Sequence, residues 1–163
     1  MRKFSCLDEI RIRLLEPTDV GRLFYQPDPE TEPALTHIQN RLDFQRVCII
    51  NINSTIIIDL GQNRIIRFVE LNIPQKFWKQ NMDFILPEPS RAADIQVVGR
   101  MRKYAFLEKP AWAITGEELR YVFLSCGEPT AGGIWVALSD QCLALIQEDC
   151  LRGFFVWLKS RSN

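Results

Sequence analysis

The sequence contains a single histidine, His37, and that scarcity restricts the catalytic chemistry open to the chain. A Ser-His-Asp or Cys-His mechanism would have to use His37, which follows a proline-rich stretch and has no recognisable partner at a motif spacing. Five cysteines occur without a C-x-x-C pair, and no zinc-site spacing joins them to the histidine. We therefore predict neither a metal site nor a histidine-based catalytic centre, and interpret His37 as a surface or helix-face side chain.

The formal net charge is zero, because 20 acidic side chains balance 20 basic ones. We therefore expect no bulk electrostatic attraction to nucleic acid or anionic lipid, and we do not predict a nucleic-acid partner. No apolar run approaches the ~18 residues of a membrane helix, and the chain reaches Asp8-Glu9 before any long apolar stretch, so neither a membrane span nor a secretory signal is predicted. The widely spaced cysteines are interpreted as reduced, structural thiols. Together these absences predict a cytoplasmic protein.

Most of the sequence has the residue patterns that are typical of β-strands. Residues 9–14 alternate charged and apolar side chains, as a half-buried strand does. The clearest block is Arg46 to Ile73, in which β-branched runs are separated by Asn53-Ser54 and by Gly61-Gln62-Asn63. Because Gly and Asn tolerate the positive φ that hairpin turns need, this block predicts an antiparallel β-meander.

The rest of the chain predicts further strands and at most two short helices. Brief helices are expected in residues 34–42 and 75–82, and a joint between halves at Pro87-Glu88-Pro89-Ser90. Segment 139–158 has apolar residues at helical spacing, but Gly153 and the β-rich run after it favour strands. The other strand candidates are residues 21–25, 95–98, 119–126, 134–138, 142–146 and 154–158. The predicted fold class is mainly antiparallel β, in one compact domain spanning residues 1–163.

The hairpin of residues 56–71 resembles the closing motif of the YuzE-like family. In that motif an apolar strand ends in an acidic residue, turns at an Asp-Gly-like corner and returns through a strand containing Gly-Ile-Glu. Asp59 matches the acidic residue, Asn63 stands near the corner and Glu70 matches the strand glutamate, whereas Arg67 departs from the family glycine. The resemblance implies a small bacterial β-rich domain, and it implies no activity because the family's function is unknown.

A second, degenerate copy of this motif is visible in residues 145–157. In that alignment Gly153 stands in the place of Arg67, and Phe155 or Val156 replaces the glutamate. If the copy is genuine, residues 1–86 and 91–163 form two similar halves, each supplying a partner for a face that the other would leave exposed. The alternative is a chance match between two hairpins of similar composition.

Three groups of residues could carry chemistry, and each also has a structural interpretation. Asp59 and Glu70 flank one hairpin and could divide acid and base roles, but they also suit a turn and an ion pair with a nearby arginine. The glycine-containing loop of residues 127–133 lacks the lysine and hydroxyl of a phosphate loop. The basic run of residues 100–103, followed by Tyr104, could contact a phosphate or an acidic partner but also suits a solvated face. We therefore predict no catalytic residue and no cofactor.

Aromatic residues are the remaining signal, and they favour protein contacts. Four tryptophans are present, three of them in the second half beside Phe106, Tyr121, Phe123, Phe154 and Phe155. Aromatic strands mostly build cores, but Trp and Tyr also favour buried contacts between proteins. The leading hypothesis is a non-enzymatic interaction or regulatory protein, such as an antitoxin-like or immunity-like binder or a subunit that pairs through an aromatic face. The alternative is a small-molecule-binding protein or enzyme with a pocket between the halves, lined by Asp59, Glu70, His37 or residues 100–103.

Overall fold

A computed structural model describes residues 4–17, 35–38, 45–73, 75–127, 132–139 and 141–158. In these ranges the chain is mainly β, as predicted, with three short 3-10 turns and no longer helix. In chain order the strands are β1 (Ser5–Leu7), β2 (Ile12–Leu15), β3 (Leu35–Ile38), β4 (Cys48–Ile52), β5 (Ile56–Leu60), β6 (Ile66–Leu71), β7 (Lys79–Gln80), β8 (Arg91–Ala92), β9 (Asp94–Val97), β10 (Tyr104–Leu107), β11 (Ala111–Thr115), β12 (Tyr121–Cys126), β13 (Ile134–Ala137), β14 (Cys142–Gln147) and β15 (Cys150–Trp157).

The first sheet has the order β1-β10-β4-β5-β6-β3 and contains the predicted meander, β4-β5-β6, at its centre. Asn53 and Ser54 both adopt positive φ, which a tight turn between antiparallel strands requires. The next corner passes through a 3-10 turn, Gln62–Arg64, in which Asn63 has φ 61°. The turn residues identified in the sequence therefore sit where the chain reverses.

The second sheet has the order β7-β11-β12-β15-β14-β13-β8 and contains a second meander, β13-β14-β15. Its last hairpin turns at Glu148 and Asp149, both with positive φ. Segment 139–158 is thus strand and not helix in the described residues, and Gly153 has a steric reason for its identity. A Cβ there would lie 2.5 Å from the carbonyl oxygen of Leu124 and 2.9 Å from the ring of Phe123.

The two sheets pack face to face around one core. The main apolar cluster combines inward side chains of the first meander, such as Ile50 and Ile58, with Phe154 and Val156 of the second sheet. A two-stranded ribbon, β2-β9, links the sheets at one end. The ribbon contacts the start of each third meander strand through an Arg11–Cys150 bridge and an Ile65–Gln96 bridge.

The two meanders share one pairing pattern. In the first, Asp59 pairs with Phe68 and Leu60 with Ile66, which leaves Arg67 as the extra residue of a bulge. In the second, the shift between Leu145–Gly153 and Ile146–Leu151 leaves Arg152 as the extra residue. The two bulge arginines are 85 positions apart in the sequence. The same separation relates the bridge residues, since position 65 matches position 150 and position 11 matches position 96. In each sheet a parallel strand flanks the first meander strand and an antiparallel strand flanks the third.

Several predictions need correction or lie outside the described residues. The helix expected in residues 34–42 is wrong for residues 35–38, which form β3 because they pair antiparallel with β6. The helical turn after Pro74 is confirmed only for Gln75–Phe77, after which the chain becomes β7. The strand candidate at residues 21–25 and the proline-rich stretch lie outside the described ranges.

Candidate interaction surface

Residues 81–90, here called the strap, cross the outer face of the second sheet. The strap leaves β7 at one edge of the seven-stranded sheet and enters β8 at the other. Six strand spacings cover about 29 Å, and the chain from Gln80 to Arg91 can extend about 36 Å. The strap therefore spans most of its reach, although it makes one tight turn in which the N–H of Phe84 donates to the carbonyl of Asn81 at 3.4 Å. It is tied at its ends by Asn81 N–H to the carbonyl of Thr115 at 2.9 Å and Ser90 N–H to the carbonyl of Trp135 at 2.8 Å.

One strap side chain, Phe84, inserts into an aromatic cluster on that face. Its ring lies 5.4 Å from the ring of Phe123 and 6.1 Å from that of Phe155, both stacked, and 5.6 Å from that of Tyr121. Trp135 and Trp157 meet Phe155 edge to face. The aromatic residues predicted to meet a partner are thus mostly buried within the chain itself.

Three exposed aromatic residues lie instead on the outer face of the first sheet, whereas a fourth, Phe77, precedes β7 at the edge of the second sheet. Tyr104 is 46% exposed and Phe106 38% exposed, while Phe4 is 41% exposed and packs edge to face on Phe106 at 5.1 Å. Immediately before the neighbouring strand, β4, Val47 is 44% exposed. The register sets this arrangement, because Tyr104 pairs with Ile49 and Ala105 with the fully buried Ile50. Aromatic side chains therefore point outward along β10.

Cations surround one end of this face. Arg100, Arg102 and Lys103 precede β10, and Arg46 precedes β4, which runs parallel to β10. Strands that run parallel bring their amino ends to the same edge of a sheet, and the N–H of Ile49 donates to the carbonyl of Lys103 at 2.8 Å. All four cationic residues are exposed. We call these four residues the cationic rim.

The rim is held in place by a fifth cation. Arg64, in the corner between β5 and β6, donates from its guanidinium to the carbonyl oxygens of Gly99 and Met101, the second at 3.3 Å. The N–H of Arg102 donates to Ser5 Oγ at 2.8 Å. The loop that carries the basic run is thus fixed to the first sheet at two points.

Asp59 and Glu70 do come together, on the same outer face. Asp59 pairs with Phe68, and Glu70 lies two positions further along β6. Burial raises the pKa of Asp59, the guanidinium of Arg46 at 3.5 Å opposes that rise, and the charge of Glu70 adds to it. Both carboxylates lie on the side of the sheet away from the apolar core, so they do not line a pocket between the halves. His37 takes the register position opposite the buried Val69.

The raised pKa of Asp59 predicts a pH-dependent effect of Asp59→Asn. As pH rises from about 4 to about 7, the unfolded chain loses this proton first, so ionisation of Asp59 costs folding free energy. The variant avoids that cost and should be more stable than the wild type near neutrality, with the difference much smaller at about pH 3, below the ordinary pKa of 3.8. Urea unfolding at the two pH values measures it. A difference that grows as pH falls would contradict the assignment.

Cys6 is expected to be the reactive thiol. It is exposed beside Phe106 on β1, whereas the other four cysteines are buried. Burial raises the pKa of Cys126 to about 12 and also raises that of Cys142 and Cys150. Because the thiolate is the reacting form, a disulfide reagent should modify one thiol promptly in the native protein and five after unfolding. Cys6→Ser should abolish the prompt phase; a prompt phase that persists would contradict this expectation.

The sequence identified the basic run and the two carboxylates but missed the surface that joins them. The alternation of Tyr104 and Phe106 with small or aliphatic residues does predict a strand there. No pattern in the sequence connects Phe4, Tyr104 and Arg46. Their proximity depends on the parallel pairing of β10 with β4, two strands far apart in sequence.

Among the described residues, no cluster of three or more His, Cys, Asp or Glu side chains is arranged to hold a metal ion. Within the same residues, no helix has the length and apolar character needed to span a bilayer. Neither a known protein family nor a curated protein matches the sequence.

Proposed function

We propose that this chain is a non-enzymatic cytoplasmic interaction protein that binds an acidic protein partner on the outer face of the first sheet. The observation that carries the proposal is the combination of exposed Phe4, Tyr104 and Phe106 with the cationic rim. Aromatic side chains in the centre of an interface supply most of its binding energy, and charged residues at its edge speed association and select the partner. A partner with carboxylates around an apolar patch fits both features.

The internal repeat belongs to the same proposal. It is supported by the bulge arginines and the ribbon bridges, which recur at a separation of 85 positions, and by the flanking strands, which have the same directions in both sheets. This alignment differs by one position from the sequence alignment, because Arg67 corresponds to Arg152 and not to Gly153. The kinship with YuzE-like domains stays a prediction that rests on the hairpin of residues 56–71.

The test uses paired charge reversals. After capture from the native host and identification, the purified partner is titrated by calorimetry against the wild type and Arg102→Glu/Lys103→Glu. We expect the rim variant to weaken binding by at least roughly tenfold, equivalent to 1.4 kcal/mol, and the wild-type affinity to fall with added salt. Lys76→Glu/Arg91→Glu, which reverses two exposed cations near the ends of the strap, should bind as the wild type does. Equal affinities for both variants would refute the proposed surface.

A further inference from the structure

We infer that the partner on the first sheet is a second copy of this chain, stacked face to face with its strands running in the opposite direction. This inference rests on the proposed function and names the partner. It is carried by the charge pattern of the outer face of the first sheet, which has a cationic end, an apolar centre and an acidic end.

The acidic end of the face lies opposite the cationic rim. Asp8 follows β1 and Glu108 follows β10, and both side chains are exposed. Because β1 and β10 run parallel, their carboxyl ends lie at the same end of the sheet. Lys109 comes next, but it is only partly exposed, and its Cδ lies 3.7 Å from the position that a Cβ on Gly127 would occupy. We call Asp8 and Glu108 the acidic end.

The outward residues between the two charged ends are mainly apolar. They alternate along each strand with buried residues that face the core, such as Ala105 on β10 and Ile50 on β4. The strand register arranges them in two rows across the sheet, the first of which is nearer the cationic rim. The first row contains Tyr104, Ile49, Asp59 and Phe68, and the second contains Cys6, Phe106, Asn51, Ile57 and Glu70.

A two-fold axis that lies between two such faces, perpendicular to the strands and above Ala105, makes the pattern complementary to itself. Such an axis reverses the strand direction, so the first row of one copy lies opposite the second row of the other. Tyr104 then lies opposite Phe106 of the second copy, because both are next to Ala105 on β10. Arg102 lies opposite Glu108, because each is three positions from Ala105. Each cationic end thus meets an acidic end, and aromatic rings meet in the centre.

The two carboxylates within the face are compatible with this arrangement. The same reversal places Asp59 opposite Ile57 of the second copy. It places Glu70 opposite Phe68, so neither carboxylate lies directly opposite another. Arg46, 3.5 Å from Asp59, offsets part of the charge of that carboxylate. A second copy therefore supplies carboxylates opposite the rim and uncharged side chains opposite Asp59 and Glu70.

The experiment reverses the charge of each end separately and follows association by light scattering and by the modification of Cys6. Because Cys6 lies on the face, its reaction with a disulfide reagent should slow by at least roughly tenfold as rising concentration converts wild-type monomer into dimer. Arg102→Glu/Lys103→Glu and Asp8→Lys/Glu108→Lys should each weaken the dimer by at least roughly a hundredfold, because the two-fold axis repeats every charge contact.

An equimolar mixture of these two variants should dimerise again. The reversed rim of one then faces the reversed acidic end of the other, and the two unaltered ends also have opposite charges. Asp83→Lys/Glu88→Lys is the matched control, since it makes the same change of charge on exposed residues of the strap. Alone it should dimerise as the wild type does. Mixed with the rim variant it should form no heterodimer by native mass spectrometry, because its acidic end is unchanged.

Three outcomes would overturn the inference. The first is a wild type that stays monomeric at every concentration. The second is a dimer in which Cys6 keeps its full rate, which would place the interface elsewhere. The third is a mixture of the two variants that stays monomeric. If the wild type is monomeric while a purified foreign partner depends on Arg102 and Lys103, the proposed function stands and only the second copy is rejected. If that partner is indifferent to both residues, the proposed surface is rejected as well.

Discussion

Asp94→Ala is expected to lower the free energy of unfolding by about 3–5 kcal/mol, the usual cost of breaking a buried ion pair by removing one partner. Asp94 on β9 is fully buried, and its carboxylate lies 4.0 Å from the guanidinium of Arg67, whose side chain is only 16% exposed. Loss of the carboxylate leaves a mostly buried cation next to the core. Urea unfolding measures the change, and thermal unfolding should show a fall in Tm on the order of 10 °C.

The proposed repeat supplies a matched control for this prediction. Counting back 85 positions from Asp94 leads to Glu9, which is near the second bulge arginine, Arg152. Glu9 pairs with the exposed Arg11 at 3.0 Å, so solvent screens its interactions. Glu9→Ala should therefore cost much less than Asp94→Ala. Equal costs would mean that burial does not decide the strength of these pairs.

Phe155→Ala is expected to cost about 3–5 kcal/mol, the range for removing a buried aromatic ring. Phe155 is fully buried at the centre of the aromatic cluster, with rings of Tyr121 at 5.1 Å and Trp157 at 5.0 Å. Its removal also takes away one of the surfaces on which Phe84 stacks. The strap should therefore loosen, and amide exchange in residues 81–90 should speed up before the rest of the chain unfolds.

Phe106→Ala provides the control for the same chemical change on the other sheet. Phe106 is partly exposed, so its removal should alter stability by a small fraction of the Phe155 effect. The same variant should weaken partner binding if the proposed surface is right. A large loss of stability for Phe106→Ala would show that this ring is part of the core, and would count against an open docking face.

The local elements that the sequence predicted well are those with strong internal patterns. The meander of residues 46–73 has β-branched runs and turn residues with positive φ, so local preference and final structure agree. Residues 35–38 were predicted as helix from apolar spacing, but pairing with β6 makes them a strand. The local conformational preference of a four-residue segment is weak, so hydrogen bonding to the edge strand of a sheet decides its structure.

The candidate site was predictable only in pieces. The basic run before Tyr104 and the two carboxylates of the hairpin were visible as separate groups, and no spacing in the sequence connected them. Arg46 joins the rim because β10 runs parallel to β4 across more than fifty residues of chain. Parallel neighbours need long connections, so their pairing leaves no short-range signature.

The sequence by itself determined that this chain is a mainly antiparallel β protein with a central meander, because alternation and turn chemistry act between near neighbours. Only the tertiary structure decided which aromatic residues are buried against the rest of the chain. The strap covers the second sheet through Phe84, while Phe106 on the first sheet stays partly exposed. Which chain segment lies over each sheet depends on contacts between residues distant in sequence, and the alternation within a strand does not encode those contacts.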